Sequence, residues 1–141
     1  MRQTEDTIFY QLYNQSPGVA EAVFERDVRL YIPAAFFLHS GERRQEPFNE
    51  ASLDSVGMVP RTGDLLSLLA SPMFNPAVMP AWITEAEIDV VAAEFLRTGL
   101  RGGLNWYRNI DRNWELMAPF AGASVIVPAL YMAGDLDLVV A

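Results

Sequence analysis

The sequence contains no cysteine and a single histidine, His39. Without cysteine there is no disulfide bond, no thiolate metal site and no cysteine nucleophile. A single imidazole excludes a zinc site built on several histidines and any catalytic pair that needs a second one. The sequence also lacks a phosphate-binding loop and a Gly-x-Ser-x-Gly nucleophile elbow. We therefore expect no metal and no other cofactor.

Basic residues are also few. The 141 residues include 10 Lys and Arg against 18 Asp and Glu, for a formal net charge of −8. Nucleic acid and anionic membranes are bound by clustered positive charge, so neither class of partner is expected. Every apolar run is too short to span a bilayer, and the polar N-terminus has no signal-peptide character. We expect a cytoplasmic protein.

Ser16 and Pro17 give the first helix signal, a capping residue followed by proline at the first helical position. They predict a helix over 17–31, in which Glu21 lies away from the apolar side. Pro33 has no amide hydrogen and its ring crowds the preceding turn. We therefore expect Pro33 to break or kink this helix.

Residues 40–80 contain many glycines and prolines, which predict irregular structure with one short helix at 63–70. Thr84 and Glu87 then form a capping box that opens a helix, and Gly99 is its natural end. This pattern predicts one well-defined helix after the irregular stretch.

A further helix is predicted over 103–117. Arg108 is expected on its polar side. One apolar stripe is formed by Trp106, Ile110, Trp114 and Met117. Tryptophans in such a stripe pack in a core or line an apolar pocket.

The apolar run at 124–133 is interrupted only by Pro128. Such a run is typical of a strand that is buried on both faces of a parallel sheet. No other segment offers a parallel partner, and a lone strand is not a stable sheet. The sequence therefore predicts a helical module over 1–119 and, over 120–141, the first strand of a sheet that this chain does not hold.

Tyrosines are the first candidates for chemistry. A protonated phenol can donate a hydrogen bond to an oxygen that is gaining negative charge. Tyr10 and Tyr107 lie in separate helical segments, and Tyr13 could share a face with Tyr10. Asp137 and its neighbour Asp135 follow the expected strand, where functional groups of parallel sheets collect. From the pattern alone, core packing and a turn explain these residues more simply.

Three stretches, in order along the chain, resemble the soluble epoxide hydrolases. Residues 10–22 resemble the start of that family's lid, residues 95–114 its later lid helix, and residues 127–137 the core strand that resumes after the lid. The resemblance implies a mainly α chain, namely the helical lid (cap) of an α/β-hydrolase with one C-terminal core β-strand. It would thus be an incomplete α/β-hydrolase fold.

The resemblance also implies a mechanism. A core Asp attacks an epoxide carbon, two lid tyrosines hydrogen-bond the ring oxygen as it becomes an alkoxide, and a His oriented by an acid activates the water that releases a vicinal diol. By position, Tyr10 and Tyr107 match the two lid tyrosines and Asp137 matches the orienting acid. Tyr13 and Trp106 would line the substrate pocket.

The nucleophilic Asp and the catalytic His of the family fall outside the matched stretches, and His39 matches neither. We therefore expect a fragment of a detoxifying epoxide hydrolase that is inactive alone. Its partners would be a small epoxide and the missing α/β-hydrolase core, with a homodimer through the lid as a further candidate.

Two alternatives stay open. One is another lid-bearing α/β-hydrolase, such as a haloalkane dehalogenase, although that family holds halide with Trp or Asn donors. The other is a non-catalytic helical fragment that acts through protein contacts, since a lid without its core would expose apolar surface.

Overall fold

The computed structural model describes residues 4–43, 57–61, 65–72, 74–76 and 78–136. The helices in this part of the chain are α1 (Tyr10–Tyr13), α2 (Val19–Phe24), α3 (Val28–Leu38), α4 (Leu65–Leu69), α5 (Glu85–Thr98), α6 (Arg101–Arg108) and α7 (Ile110–Met117). Single 3-10 turns cover Glu25–Asp27, Gly41–Arg43 and Ala118–Phe120. The strands β1 (Thr7–Phe9) and β2 (Met58–Pro60) form a two-stranded antiparallel ribbon. The described chain is mainly α, as predicted.

The first predicted helix is divided and starts later than expected. Gly18, with a left-handed φ of 84°, is the N-cap of α2, so the helix does not begin at Pro17. After the 3-10 turn, the Asp27 carboxylate caps α3 by accepting from the amide of Leu30 at 3.0 Å. This new cap separates α2 from α3, which explains why one helix over 17–31 was wrong.

Pro33 does not break the helix. It lies buried inside α3, which runs on to Leu38. A proline in a helix interior costs about 3 kcal/mol. The adjacent Ile32 and Ala34 are buried too, and apolar burial of this kind offsets the lost backbone hydrogen bond.

The capping box of α5 is confirmed. The amide of Thr84 donates to Glu87 Oε2 at 2.8 Å, and the amide of Glu87 donates to Thr84 Oγ1 at 3.3 Å. Gly99 ends the helix with φ 72°, and its amide donates to the carbonyl of Phe95 at 2.8 Å. The short helix predicted at 63–70 is present as α4.

The core lies where α2, α3 and α4 meet the start of α6. Its buried members are Ala20, Phe24, Ala34, Leu65, Leu66, Leu69, Leu100 and Leu104. A second cluster joins α3 to α5 through Val28, Ile32 and Ala92. These contacts hold the two ends of the helical module together.

The predicted helix over 103–117 is two helices that meet at Asn109. The tryptophans do not enter the core, because Trp82, Trp106 and Trp114 are 50%, 78% and 83% exposed. The apolar stripe of this region therefore faces away from the rest of the described chain.

The segment predicted as a strand, 124–133, makes no strand pairing within the described residues. Ile126 is 93% exposed and Leu130 is 82% exposed. A strand is defined by hydrogen bonds to a neighbour, and the only ribbon in the described part joins β1 to β2. In the same part, no helix is long and apolar enough to cross a membrane.

Removing the cap of α5 should weaken the fold locally. Thr84→Ala deletes the hydroxyl that accepts from Glu87, and we expect it to lower the free energy of unfolding by about 1 kcal/mol. Thr98→Ala is the matched control, since Thr98 is exposed and bonds a carbonyl of its own helix. That change should cost less than about 0.5 kcal/mol. Equal losses in chemical denaturation would contradict the role of the cap.

Candidate functional site

Tyr10 is held where the ribbon meets the first helix. β1 pairs with β2 up to Phe9, and the amide of Tyr10 donates to the carbonyl of Gly57 at 2.7 Å. Gly57 has φ 73°, and a Cβ there would lie 2.8 Å from the rings of both Phe9 and Tyr10. Only glycine allows the backbone at position 57 to approach the Tyr10 ring this closely.

Tyr107 lies in the last turn of α6, and its ring meets that of Tyr10. The ring centroids are 5.5 Å apart and the planes cross at 83°, an edge-to-face contact. Both rings are half-buried. The fold thus brings together two tyrosines from opposite ends of the helical module.

The surroundings of Tyr107 favour a neutral phenol that can donate. Burial, and secondarily the adjacent Tyr10, raise the pKa of Tyr107 above its ordinary value. Gln11 Nε2 donates to the hydroxyl oxygen of Tyr10 at 3.4 Å, a long contact. Because that oxygen accepts from Gln11, the Tyr10 proton is left for another acceptor.

Two further tyrosines lie nearby. Tyr13 packs against Phe24 with ring centroids 6.5 Å apart, and burial raises its pKa. Phe24 also stacks on Tyr31 at 4.3 Å. Burial, and secondarily Tyr107, raise the pKa of Tyr31. Tyr31 was not a sequence candidate, although its spacing of three from Val28 places it on the same helix side.

Arg108 and Glu21 were expected on polar helix faces, and the structure corrects this. Their side chains are only 11% and 12% exposed, with Arg108 Nη1 2.8 Å from Glu21 Oε1. The hydrogen bond from Arg108 holds the pKa of Glu21 below its usual range. No sequence signal marks this pair, because its members lie far apart along the chain.

The Arg108 side chain also ties α6 to the connection after α1. Its Nε donates to the carbonyl of Asn14 at 3.2 Å, and its Nη2 donates to that of Ser16 at 3.3 Å. Gln15 Nε2 donates to the carbonyl of Tyr107 at 2.7 Å. These bonds join the segments that carry the two tyrosines.

The other sequence candidates are not gathered at this pair. Asp137 lies outside the described residues. The Nδ1 of His39 is 2.7 Å from the carbonyl of Ala35 in its own helix. Trp106, next to Tyr107, points to the exposed side of α6.

Neither a cleft nor a metal-binding cluster accompanies the tyrosines. A cleft of about 370 Å³ lies between α3 and the start of α5, around Leu30, Pro33 and Ile88, and neither Tyr10 nor Tyr107 lines it. The described residues hold no group of three His, Asp or Glu side chains that could bind a metal ion.

Comparison with known proteins points to one family by sequence. The chain is 38% identical over 132 residues to Epoxide hydrolase A of Mycobacterium tuberculosis, covering 94% of this chain and 38% of the relative. It is 34% identical over 132 residues to the Bifunctional epoxide hydrolase 2 of Mus musculus, covering 92% of this chain and 21% of the relative. The chain thus spans well under half the length of these curated relatives. No protein-family model matches.

Comparison of structures agrees. The crystal structure of Epoxide Hydrolase A from Mycobacterium thermoresistibile is similar, with a TM-score of 0.67 and 38% sequence identity. The match covers 88% of this chain and 35% of that one. The mainly α fold therefore corresponds to a partial helical lid of an α/β-hydrolase.

Tyr10→Phe should lower the pKa of Tyr107 toward its ordinary value. The part of the pKa increase that is due to burial should remain. A raised folded pKa contributes stability below the unfolded value that is lost as the pH rises through the folded pKa. The alkaline loss of stability that Tyr107 causes should therefore shrink. The ζ-carbon NMR shift of labelled Tyr107 measures the titration, with Tyr13→Phe as control. An unchanged titration in Tyr10→Phe would contradict the electrostatic effect of the Tyr10 hydroxyl on Tyr107.

Gly57→Ala should displace Tyr10. A left-handed alanine costs about 1–2 kcal/mol, and the clash with the rings of Phe9 and Tyr10 adds about 1–3 kcal/mol. Gly18→Ala isolates the first contribution, because Gly18 has φ 84° and a Cβ there meets nothing within 4 Å. Denaturation should show the larger loss for Gly57→Ala. A loss no greater than that of Gly18→Ala would show that no clash occurs.

Proposed function

Since this chain is homologous to one segment of the epoxide hydrolases, we propose that it supplies the oxygen-activating wall of an epoxide hydrolase site. Tyr10 and Tyr107 are the two hydrogen-bond donors to the epoxide oxygen. The observation that carries this proposal is their edge-to-face contact at 5.5 Å. We propose that these two phenols, whose rings are in contact, direct their hydroxyls toward one small acceptor.

The chemistry needs donors of this kind. When a carboxylate attacks an epoxide carbon, the carbon–oxygen bond breaks and its electron pair moves onto the ring oxygen. Donors that are already in place stabilise the growing negative charge without reorganising, and removing one costs about 10²–10³ in kcat. A phenol is protonated at neutral pH because its ordinary pKa is about 10, and burial raises the pKa of Tyr107 further.

The rest of the reaction needs groups from elsewhere. The proposed attacking carboxylate and the histidine that activates water belong to the α/β-hydrolase core. Asp137 is proposed as the acid that orients that histidine. His39 does not substitute for it, because it lies in the helical module and does not match the family's catalytic histidine. We therefore propose that the 141-residue chain alone does not convert epoxides to vicinal diols.

The exposed apolar surface is consistent with a core as partner. Trp114 and Phe120 are 83% and 60% exposed, and Ile126 is 93% exposed. Large exposed apolar surfaces mark contact sites. The core would cover this surface and complete the pocket, with Tyr13 and Trp106 in its lining. Without it, the same surface favours association of the chain with itself, including the homodimer through the lid.

The other two functions have less support. A haloalkane dehalogenase would need Trp or Asn donors, whereas the described residues present a tyrosine pair. A purely non-catalytic interaction role explains the apolar surface but gives no reason for two half-buried phenols in contact.

A transplant tests the proposal. The purified chain should leave styrene oxide unhydrolysed, while Epoxide hydrolase A of Mycobacterium tuberculosis carrying this chain in place of its matching segment should form the diol. In that chimera, Tyr10→Phe and Tyr107→Phe should each lower kcat by about 10²–10³. Diol formation is followed by chromatography.

Tyr31→Phe is the control for loss of a phenol. Its ring keeps the stacking contact with Phe24, so kcat should stay within about three-fold of the parent chimera. Rapid diol formation by the isolated chain would refute the claim of inactivity. Full activity of the Tyr107→Phe chimera would refute the oxygen-activating role.

A further inference from the structure

Arg108 directly follows Tyr107 in the chain, and its side chain turns back toward the connection between α1 and α2. Both terminal nitrogens lie 2.8 Å from carboxylate oxygens of Glu21. It also donates to the carbonyls of Asn14 and Ser16, at 3.2 and 3.3 Å, and to Asn105 Oδ1 of its own helix at 3.2 Å. The side chain is only 11% exposed. One shielded guanidinium thus binds three points of a distant segment.

One of those three points, Asn14, is bonded directly to the turn that contains Tyr10. Asn14 is the C-cap of α1, and its amide donates to the carbonyl of Tyr10 at 2.9 Å. A helix of one turn has no stability of its own and takes its position from tertiary contacts. The carbonyl that Arg108 holds is therefore the end of the turn that Tyr10 begins.

The same residue is rigidly connected to the other tyrosine. Arg108 and Tyr107 are neighbours in α6, and Gln15 donates to the Tyr107 carbonyl at 2.7 Å. A shift of Arg108 relative to Asn14 would change the distance between the two rings. Arginine suits this task because its planar fork donates in several fixed directions, whereas lysine is a flexible point charge.

We propose that Arg108, neutralised by Glu21, is the positioning residue that sets the separation of the Tyr10 and Tyr107 phenols. The proposal rests on the function proposed above for that pair. Arg108 does not touch the epoxide. It acts through the Asn14 carbonyl on one side and through α6 on the other.

The test is the NMR cross-peak between the rings of Tyr10 and Tyr107 in the 141-residue chain. The stacked rings of Phe24 and Tyr31, 4.3 Å apart, give an internal reference in the same spectrum. In Arg108→Met we expect the tyrosine cross-peak to fall by about three-fold, because its intensity varies with the inverse sixth power of the distance between ring protons. A displacement of about 1 Å, the size that disrupts a reacting geometry, is enough for such a fall. The reference cross-peak should keep its intensity.

Arg108→Lys separates positioning from charge. It keeps a cation for Glu21 but cannot hold the carbonyls of Asn14 and Ser16 together with it, so the tyrosine cross-peak should weaken here too. If Arg108→Met loses the reference cross-peak through misfolding, Arg108→Lys decides the question. Arg112→Met is the matched control, because Arg112 pairs with Glu115 on an exposed surface. It should change neither cross-peak.

A tyrosine cross-peak of parent intensity in an Arg108 variant that keeps the reference cross-peak would overturn the proposal. This readout does not depend on turnover. If the chimera with Tyr107→Phe stays active while the cross-peak falls in Arg108→Lys, the oxygen-activating function fails and the positioning role stands. In an active chimera, Arg108→Lys should lower kcat by about ten-fold with little change in KM.

Discussion

The shielded ion pair between Arg108 and Glu21 is the interaction on which the site depends. An ion pair with little exposure is tolerated only when most of its hydrogen-bonding capacity is used. Here the remaining donors of Arg108 are used by two backbone carbonyls and by Asn105 Oδ1. Losing a hydrogen bond to a charged group costs about 1.5–3 kcal/mol. The pair therefore links the two ends of the helical module energetically as well as geometrically.

The two tyrosines are fixed by different physical means. Tyr107 inherits its position from a regular helix whose Leu104 is buried in the core. Tyr10 lies in a single turn and depends on the backbone of Gly57 on one side and on the Asn14 carbonyl on the other. The Tyr10 half is thus the more easily displaced part of the pair.

Local chemistry made part of this structure predictable from the sequence. The Thr84 capping box and Gly99 were correct because each acts within a few residues. The continuity of α3 through Pro33 was missed because tertiary burial outweighs a local penalty. The β1–β2 ribbon was missed because three-residue strands carry no periodic signal. In the candidate site, Tyr10 and Tyr107 were predicted because their motifs resemble those of a known family. The pairing of Glu21 with Arg108 was not predicted, because it depends on tertiary structure and no local sequence pattern indicates it.

The apolar surface that the described chain leaves exposed is related to the proposed chemistry. Most of the clustered core lies among α2, α3, α4 and α6, whereas the apolar side chains of α7 and of residues 124–133 face outward. Burying a large apolar side chain contributes about 1.5–3 kcal/mol to stability. Exposed side chains such as Trp114 and Ile126 do not make this contribution in the described chain. We propose that a partner covering them would also enclose the space in front of Tyr10 and Tyr107. Because hydrogen bonds to a developing charge are stronger where water is excluded, such closure would strengthen the proposed donation from the two phenols.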